Sequence, residues 1–356
     1  MNKILFLGDF FYNYEFITND IENISKFIKD NNYCCILNLE GSLVKSKNVI
    51  KKRGPNLYHS EITIDILKKL NVIGVTLSNN HVMDFGEEAL SETIYLLNKA
   101  NIKYCGAGLN LDEALKPMVF SFNDKRIVIF NYGWDVEETV YASKNKAGCS
   151  PKDLNYLYNI PKKYSDDYII KILHWGFEYN IYPMPMDIDI AHNMINSNTD
   201  LIIGHHPHVI QSKEVYCGKN IYYSLGNFYF SGRRKRFLRK QFNGKFIDKC
   251  SYGLGVVFDP ISETIDKELL FYYDNDIDET IIIDKYIDKE ILSDITNINF
   301  KSKEYLSLLR DTKRNGNPIL TNNCFCNMIK LILLRIKYFF KDYLIKILIY
   351  FRIKKR

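Results

Sequence analysis

The chain has 356 residues, 46% of them hydrophobic, which fits one large α/β domain with an appendage, or two domains. Its formal net charge is +6, but residues 231–249 carry +7 and residues 327–356 carry +8, so the remainder carries −9. Because the basic residues lie in two segments, the composition argues against a generally basic nucleic-acid binder, and no nucleic-acid partner is expected.

The cysteines and the N-terminus predict a reducing compartment. The eight cysteines show no zinc-ribbon spacing, and a chain of this size does not need a disulfide framework, so reduced and buried thiols are expected. The apolar run at residues 4–7 is too short for a signal peptide. The expected location is the cytoplasm, with peripheral attachment to the inner face of the membrane as an extension of that prediction.

The first half of the chain alternates predicted strands with predicted helices. Apolar runs and helical periodicity predict these elements in order: strand 4–7, helix 15–30, strand 34–39, helix 60–70, strand 72–77, helix 86–100 and strand 102–105. An antiparallel pair is predicted at 119–122 and 126–132, joined by the turn residues Asn123 and Asp124.

The second half is richer in strands. After an irregular stretch at 134–165, the predicted elements are strand 168–173, helix 187–197 and strands 201–203, 209–216, 221–224, 253–258 and 268–273. This distribution predicts two sheets packed face to face, with helices on the outside.

Six side chains follow the C-terminal ends of predicted buried strands and are candidate metal ligands: Asp9, Glu40, Asn80, His174, His206 and His208. Ligand sites of open α/β sheets form at this edge. Oxygen donors mixed with imidazoles suit Mn, Fe or Zn, and six donors exceed the set of one catalytic zinc. Two divalent ions are therefore predicted. The alternative is that these residues are caps, turn residues and core histidines.

His81 and Asp84 are predicted to form a proton-donating pair. A carboxylate bonded to one ring nitrogen raises the pKa of an imidazole and orients it, so His81 is a candidate general acid. His206 and His208 are expected to point the same way, because strand side chains alternate with period two. His205 is expected only to hydrogen-bond or to pack.

Seven segments, in order between residues 3 and 260, carry a family resemblance: 8–9, 38–40, 78–86, 106–117, 174–179, 204–211 and 223–228. Together they resemble the CapA/PgsA family of capsule and poly-γ-glutamate biosynthesis proteins, which is related to calcineurin-like metallophosphoesterases. The resemblance implies a four-layer α-β-β-α metallophosphoesterase-like sandwich over residues 1–285. A helical basic C-terminal extension is expected over residues 286–356.

The resemblance also implies roles for site residues. Asn80 corresponds to a metal ligand, His81 with Asp84 to an acid dyad, His206 and His208 to ligands, and Glu40 to the bridging carboxylate. One position departs from the related motif Asp-x-His, because Phe11 stands two residues after Asp9. One of the two metal ions is therefore expected to be weakly bound or absent.

Two functions follow from this resemblance. The first is a metal-dependent phosphoesterase-type hydrolase of surface-polymer biosynthesis that acts on an acidic or phosphorylated substrate. The alternative is a non-catalytic assembly or binding factor of a membrane-associated polymer synthesis complex. The missing histidine favours the second, and the His81–Asp84 pair favours the first, because a structural metal needs no proton donor.

The two basic segments have predictions of their own. Arg233, Arg234 and Arg236 are predicted to attract the acidic substrate, the alternative being a solvated loop. Residues 328–356 mix apolar and cationic side chains without the run of about 18 apolar residues that a spanning helix needs. They predict an interfacial helix on an anionic membrane. The alternative is a helix packed on the body or on a partner.

Overall fold

The computed structural model describes residues 3–44, 46, 48–52, 54–134, 139–230, 250–274 and 279–283, with isolated positions 330, 333 and 337. Arg233, Arg234 and Arg236 lie outside the described residues, as does nearly all of the C-terminal extension. The predictions for these segments, and the domain boundary at residue 285, stay predictions. No helix among the described residues is long and apolar enough to cross a membrane.

The first sheet has eight strands with β1 (Lys3–Phe11) near its centre. On one side the strands run parallel to β1, in the order β2 (Tyr33–Leu39), β3 (Val72–Thr76) and β4 (Lys103–Cys105). On the other side they are antiparallel to their neighbours, in the order β14 (Tyr252–Asp259), β15 (Thr264–Asp274) and β16 (Glu279–Ile283). A short strand, β13 (Asn227–Phe230), pairs in parallel with the end of β1.

The second sheet has six strands. Its order is β11 (Lys213–Tyr216), β12 (Lys219–Tyr222), β10 (Leu201–His205), β9 (Tyr168–His174), β7 (Lys125–Gly133) and β6 (Met118–Phe122). The four inner strands are parallel and both edge strands are antiparallel. A two-stranded ladder joins β5 (Ala107–Gly108) to β8 (Gly148–Cys149).

The helices follow the predicted alternation in the first half of the chain. They are α1 (Asn19–Asp30), α2 (Thr63–Lys69), α3 (Gly86–Lys99), α4 (Leu111–Ala114), α5 (Leu154–Tyr158) and α6 (Pro185–Asn196), with a 3-10 turn at Lys162–Tyr164. Helix α1 begins four residues later than predicted, because Thr18 is its N-cap and accepts a hydrogen bond from the amide of Ile21.

The core has three apolar layers. Along β1, Leu5 and Leu7 face the helices of the first sheet, whereas Ile4 and Phe6 face the second sheet. The middle layer includes Ile172 of β9, and a third cluster packs α6 against the outer face of the second sheet. Because strand residues alternate, each sheet buries both of its faces. The predicted four-layer α-β-β-α arrangement is confirmed.

Two strand assignments differ from the sequence-based expectation. Strand β1 continues through Asp9 to Phe11, because β2 and β13 both pair with that end. The predicted strand 209–216 is a strand only at Lys213–Tyr216, since Ile210 makes an isolated bridge to Leu225. Strand β13 was not predicted.

Candidate metal centre

The site lies where the C-terminal ends of strands from both sheets meet. The first sheet contributes Asp9 within β1, Glu40 directly after β2, and Asn80 in the turn after β3. The second sheet contributes His174, the last residue of β9, and the loop that follows β10. All six predicted ligands are buried. The sequence therefore identified residues from two different sheets that the fold brings together.

Asp9, Glu40 and His208 form the tightest cluster. One atom of each lies within 4.8 Å of the others. His208 lies between the two carboxylates, with Nδ1 3.4 Å from Asp9 Oδ2 and Nε2 3.5 Å from Glu40 Oε1. Nδ1 is also 2.9 Å from Oδ1 of Asn227. This contact orients the ring so that Nε2 faces Glu40, as second partners of ligating histidines do.

His174, Asn80 and His206 form the neighbouring part of the site. Nε2 of His174 is 3.0 Å from Oδ1 of Asn80, and the rings of His174 and His206 are 4.7 Å apart. The amide of His206 donates to Oδ2 of Asp9 over 3.2 Å, which links this group to the first cluster. The six candidates therefore form two adjoining sets of three.

The loop after β10 explains how two histidines reach one site. His206 and His208 have φ values of 95° and 56°, a left-handed backbone that is uncommon outside glycine. The expectation that strand alternation aligns them was wrong, because β10 ends at His205. His205 was expected to hydrogen-bond or to pack beside the ligands, and its Nδ1 lies 3.4 Å from Asp9 Oδ1.

The buried charges shift one another's pKa values. Burial raises the pKa of Glu40, and the charge of Asp9 adds to that rise. Burial alone would also raise the pKa of Asp9, but interactions with His205, His208 and His174 hold that pKa well below the usual range. Burial disfavours protonation of His208, yet Glu40 and Asp9 together raise its pKa. A cation is therefore favoured between the two carboxylates.

His81 and Asp84 are in contact as predicted, but a lysine joins them. His81 Nδ1 lies 2.8 Å from Asp84 Oδ2 and 2.8 Å from Lys52 Nζ, and its Nε2 is 3.9 Å from Glu40 Oε1. Asp84 does act to raise the pKa of His81, but the net shift of that pKa is downward, contrary to expectation. Burial and the charge of Lys52 outweigh Asp84 and lower that pKa to about 4.

Two functional-site residues were missed by the sequence reasoning. Lys52 also reaches Asp84 Oδ1 at 2.5 Å and the carbonyl oxygen of Asn80 at 2.7 Å. It belongs to the basic loop between β2 and α2, whose position relative to the site depends on the fold. Glu178 acts electrostatically on Glu40 and His206, and its place in the 174–179 motif was a signal that it belongs to the site.

The hydrogen bonding of the buried side chains shows whether a metal ion fits the site. Among the described residues, both carboxylate oxygens of Glu40, both ring nitrogens of His206 and Nδ1 of His174 are buried without a hydrogen-bond partner. Leaving such groups unpaired is costly, whereas a divalent ion binds both carboxylate oxygen and neutral imidazole. The orphaned donors therefore fit a metal centre.

The position of the missing histidine is apolar. Phe11 packs against Phe230 at a ring separation of 5.1 Å and against His59 at 5.3 Å. Phenylalanine offers no ligand atom, so the set around Asp9 and His208 lacks the donor that the related motif supplies.

Comparison with known proteins places the chain in a family. The family model described as "Bacterial capsule synthesis protein PGA_cap" matches residues 4–232. The chain is 30% identical to the capsule biosynthesis protein CapA of Bacillus anthracis, over 58% of this chain and 53% of that protein. It is 33% identical to the PGA biosynthesis protein CapA of Bacillus subtilis strain 168, over 49% of this chain and 47% of that protein. The chain thus matches about half the length of these curated relatives.

A distant likeness to a solved structure was also found. A structure described as a novel phosphatase from Mycoplasma pneumoniae aligns with a TM-score of 0.46 and 18% identity, covering 83% of this chain and 98% of that one. A likeness this remote carries no information about activity. The family match instead covers most of the strands that form the site, and by that match this chain belongs to the PGA_cap family of bacterial capsule synthesis proteins.

Proposed function

We propose that this chain is a metal-dependent phosphoesterase-type hydrolase that acts in the synthesis of a bacterial surface polymer, such as poly-γ-glutamate. The observation that carries the proposal is the set of buried, unpartnered donor atoms on Glu40, His174 and His206. The names of the curated relatives, a capsule biosynthesis protein and a PGA biosynthesis protein, support the pathway.

The candidate ligands would hold two divalent ions. Asp9 and His208 would hold one ion, Asn80, His174 and His206 would hold the other, and Glu40 would contribute its carboxylate to the centre. Divalent ions bound there would neutralise the charge of a phosphoester and activate a water molecule. Asn227 and Asn38 keep two of the ligands oriented, through contacts of 2.9 Å to His208 and 2.7 Å to Asp9.

His81 donates a proton toward the leaving oxygen from its Nε2 atom. Nδ1 of His81 lies 2.8 Å from both Asp84 Oδ2, an acceptor, and Lys52 Nζ, a donor, while Nε2 lies on the side of Glu40. The doubly protonated ring is the form that donates from Nε2, and it becomes neutral imidazole when it does so. Burial and Lys52 disfavour the doubly protonated ring. An anionic substrate oxygen beside Nε2 opposes that effect, because a nearby negative charge raises the pKa of an imidazole.

A non-catalytic assembly or binding factor of a polymer synthesis complex is the second candidate. The apolar Phe11, which leaves the Asp9 side of the centre one ligand short, favours it. The two candidates differ in one respect, since only the hydrolase needs His81 to carry a mobile proton.

Metal analysis of the purified protein, combined with turnover of phosphomonoesters and phosphodiesters, tests the hydrolase. We expect His81→Ala to lower turnover by about 10²-fold or more while leaving the metal content unchanged, since general acid catalysis contributes that much. His192→Ala is the matched control, because His192 pairs with Glu214 at 2.6 Å outside the centre. Metal-free protein, or turnover indifferent to His81, would support the assembly factor instead.

A further inference from the structure

A second pair of buried charges lies beside the metal centre and is not used by the proposed reaction. Lys152 is a partly exposed residue, but its Nζ atom is buried and has no hydrogen-bond partner among the described residues. The ammonium lies over the ring of Trp134, 3.9 Å from its centroid. A cation–π contact offsets part of the cost of burying an ammonium but does not replace its hydrogen bonds.

Asp187 is a charge of opposite sign that influences Lys152. Its Oδ2 accepts a hydrogen bond from the amide of Met184 at the start of α6, whereas its Oδ1 has no partner among the described residues. Burial lowers the pKa of Lys152 to about 8, with Asp187 opposing, and raises the pKa of Asp187 to about 6. The two groups interact without sharing a hydrogen bond, so each keeps an unused bonding position.

Backbone contacts place this pair next to the metal ligands. The amide of Trp134 donates to the carbonyl of His174 over 2.9 Å, and the amide of Lys152 donates to the carbonyl of Gly133 over 3.0 Å. The ring of Trp134 is 5.9 Å from that of Phe177, and a Cβ added to Gly176 would lie 3.8 Å from Asp187 Oδ2. Both neighbours belong to the turn that directly follows His174.

We propose that Lys152, resting on Trp134, is an oxyanion-binding subsite that receives a second carboxylate or phosphate group of the substrate beside the metal centre. The long side chain turns from the indole face to the bound anion, which supplies the charged hydrogen-bond acceptor that Lys152 lacks. Asp187 competes with the bound anion for the ammonium through its charge. The subsite's role in turnover rests on the proposed hydrolase function, whereas anion binding by Lys152 does not.

Tryptophan fluorescence of the full chain tests the proposal, because displacement of the ammonium changes the surroundings of Trp134. The chain has two tryptophans, and Trp175 is buried and donates to the carbonyl of Tyr223 over 2.8 Å. The protein is titrated with inorganic phosphate and, separately, with glutarate, which distinguishes a phosphate group from a carboxylate. Trp134→Phe should remove the signal.

Two variants should change anion affinity in opposite directions. Lys152→Met should weaken binding by about tenfold or more through loss of a charge-assisted hydrogen bond. Asp187→Asn should tighten binding, because the competing charge is gone while the amide oxygen still caps Met184. Lys171→Met is the matched control: this buried lysine donates to the carbonyl of Leu157, so its loss should leave anion affinity unchanged.

The outcomes of these titrations distinguish the oxyanion-binding subsite from the proposed hydrolase function. If Lys152→Met binds both anions as tightly as the wild type, or if Asp187→Asn weakens binding in parallel with it, the subsite is wrong. If His206→Ala abolishes the titration and Lys152→Met does not, the anion binds at the metal centre, so the subsite is wrong and the hydrolase proposal stands. Retained binding in His206→Ala together with loss in Lys152→Met supports the subsite.

Discussion

Lys52 is the residue that most changes the interpretation of the proton donor. The 78–86 segment suggested a two-residue dyad, His81 oriented by Asp84. In the structure a lysine with 2% side-chain exposure bonds both members and the backbone of Asn80. A buried ammonium with three acceptors holds the basic loop against the turn after β3.

Replacing Lys52 with Met should therefore alter both stability and the titration of His81. Loss of the ammonium leaves Asp84 Oδ1 and the Asn80 carbonyl short of a partner, which should lower the free energy of unfolding by about 2–3 kcal/mol. Removing a positive charge next to an imidazole raises its pKa. NMR titration of His81 should accordingly show protonation at higher pH than in the wild type.

Lys219→Met is the control for that experiment, because its ion pair with Asp200 is distant in sequence and more exposed, with 41% exposure of the lysine side chain. It should leave the His81 titration in place. An unchanged pKa in Lys52→Met would mean that the lysine does not act on the imidazole.

At the scale of elements, the end of β10 is the most constrained part of the site. Gly204 precedes the histidine loop, and a Cβ there would lie 1.9 Å from the carbonyl oxygen of Tyr223 and 2.5 Å from Nε1 of Trp175. Its own carbonyl accepts from the amide of Leu225 over 3.0 Å. The glycine is needed for this close approach and not for a left-handed backbone.

Gly204→Ala should push β10 away from the 223–225 segment and displace His206 and His208 with it. We expect the free energy of unfolding to fall by about 3 kcal/mol or more, because overpacking against backbone atoms is destabilising, and we expect reduced metal content.

Gly218→Ala is the comparison, because no atom lies within 4 Å of its added Cβ and only its φ of +75° is unfavourable. It should cost about 1 kcal/mol and leave metal binding intact. Equal effects of the two substitutions in chemical denaturation would contradict this account.

At the scale of the whole molecule, the metal centre joins the two sheets. Asp9 and Glu40 come from the first sheet, while His174 and His206 come from the second sheet and the loop after it, so ions bound at this centre would link both halves of the sandwich. Binding only to the folded state stabilises by about 2.7 kcal/mol when the free ion is at 100 times its Kd. Metal removal by a chelator should therefore lower the Tm.

The size of that stabilisation should increase with pH. In the metal-free protein the pKa of His208 is raised above its ordinary 6.5, so its contribution is present below that value and is lost as the pH rises through the folded-state value. Burial also raises the pKa of Glu40, so the contribution of Glu40 to the stability of the metal-free protein is likewise lost as the pH rises. Metal binding, in contrast, improves as these groups lose protons.

Thermal denaturation between pH 7.5 and 9, with and without divalent metal, checks this prediction, because the buried histidines with lowered pKa values are neutral in both the folded and the unfolded state over that range. The metal-free Tm should fall as the pH rises and the metal-dependent gain should grow. His206→Ala should reduce the gain at every pH. A gain that stays constant or shrinks would mean that His208 and Glu40 do not compete with protons for the ion.

Most of the fold was predictable because it depends on local patterns. Apolar runs such as 72–77 and 168–173 mark buried strands wherever they lie in space, and helical periodicity marked α3 to within a residue at each end. The succession of predicted elements already indicated two packed sheets with helices outside, and the family resemblance identified that arrangement as a four-layer metallophosphoesterase-like sandwich. Strand β13 was missed because it has only four residues, Asn227–Phe230, and a run that short has no distinctive period.

The sequence by itself determined which residue types follow the strands, and therefore that carboxylates, an amide and imidazoles gather at one edge. Strand direction and alternation are local properties, so they can be inferred without knowing the neighbours. Only the tertiary structure decided how those groups act on one another. The pKa of His81 depends on Lys52, 29 positions earlier, the pairing of His208 depends on Asn227, and the histidine loop adopts a left-handed backbone that surrounding contacts impose. These effects arise from distances of a few ångströms between atoms far apart in the chain, which no local pattern records.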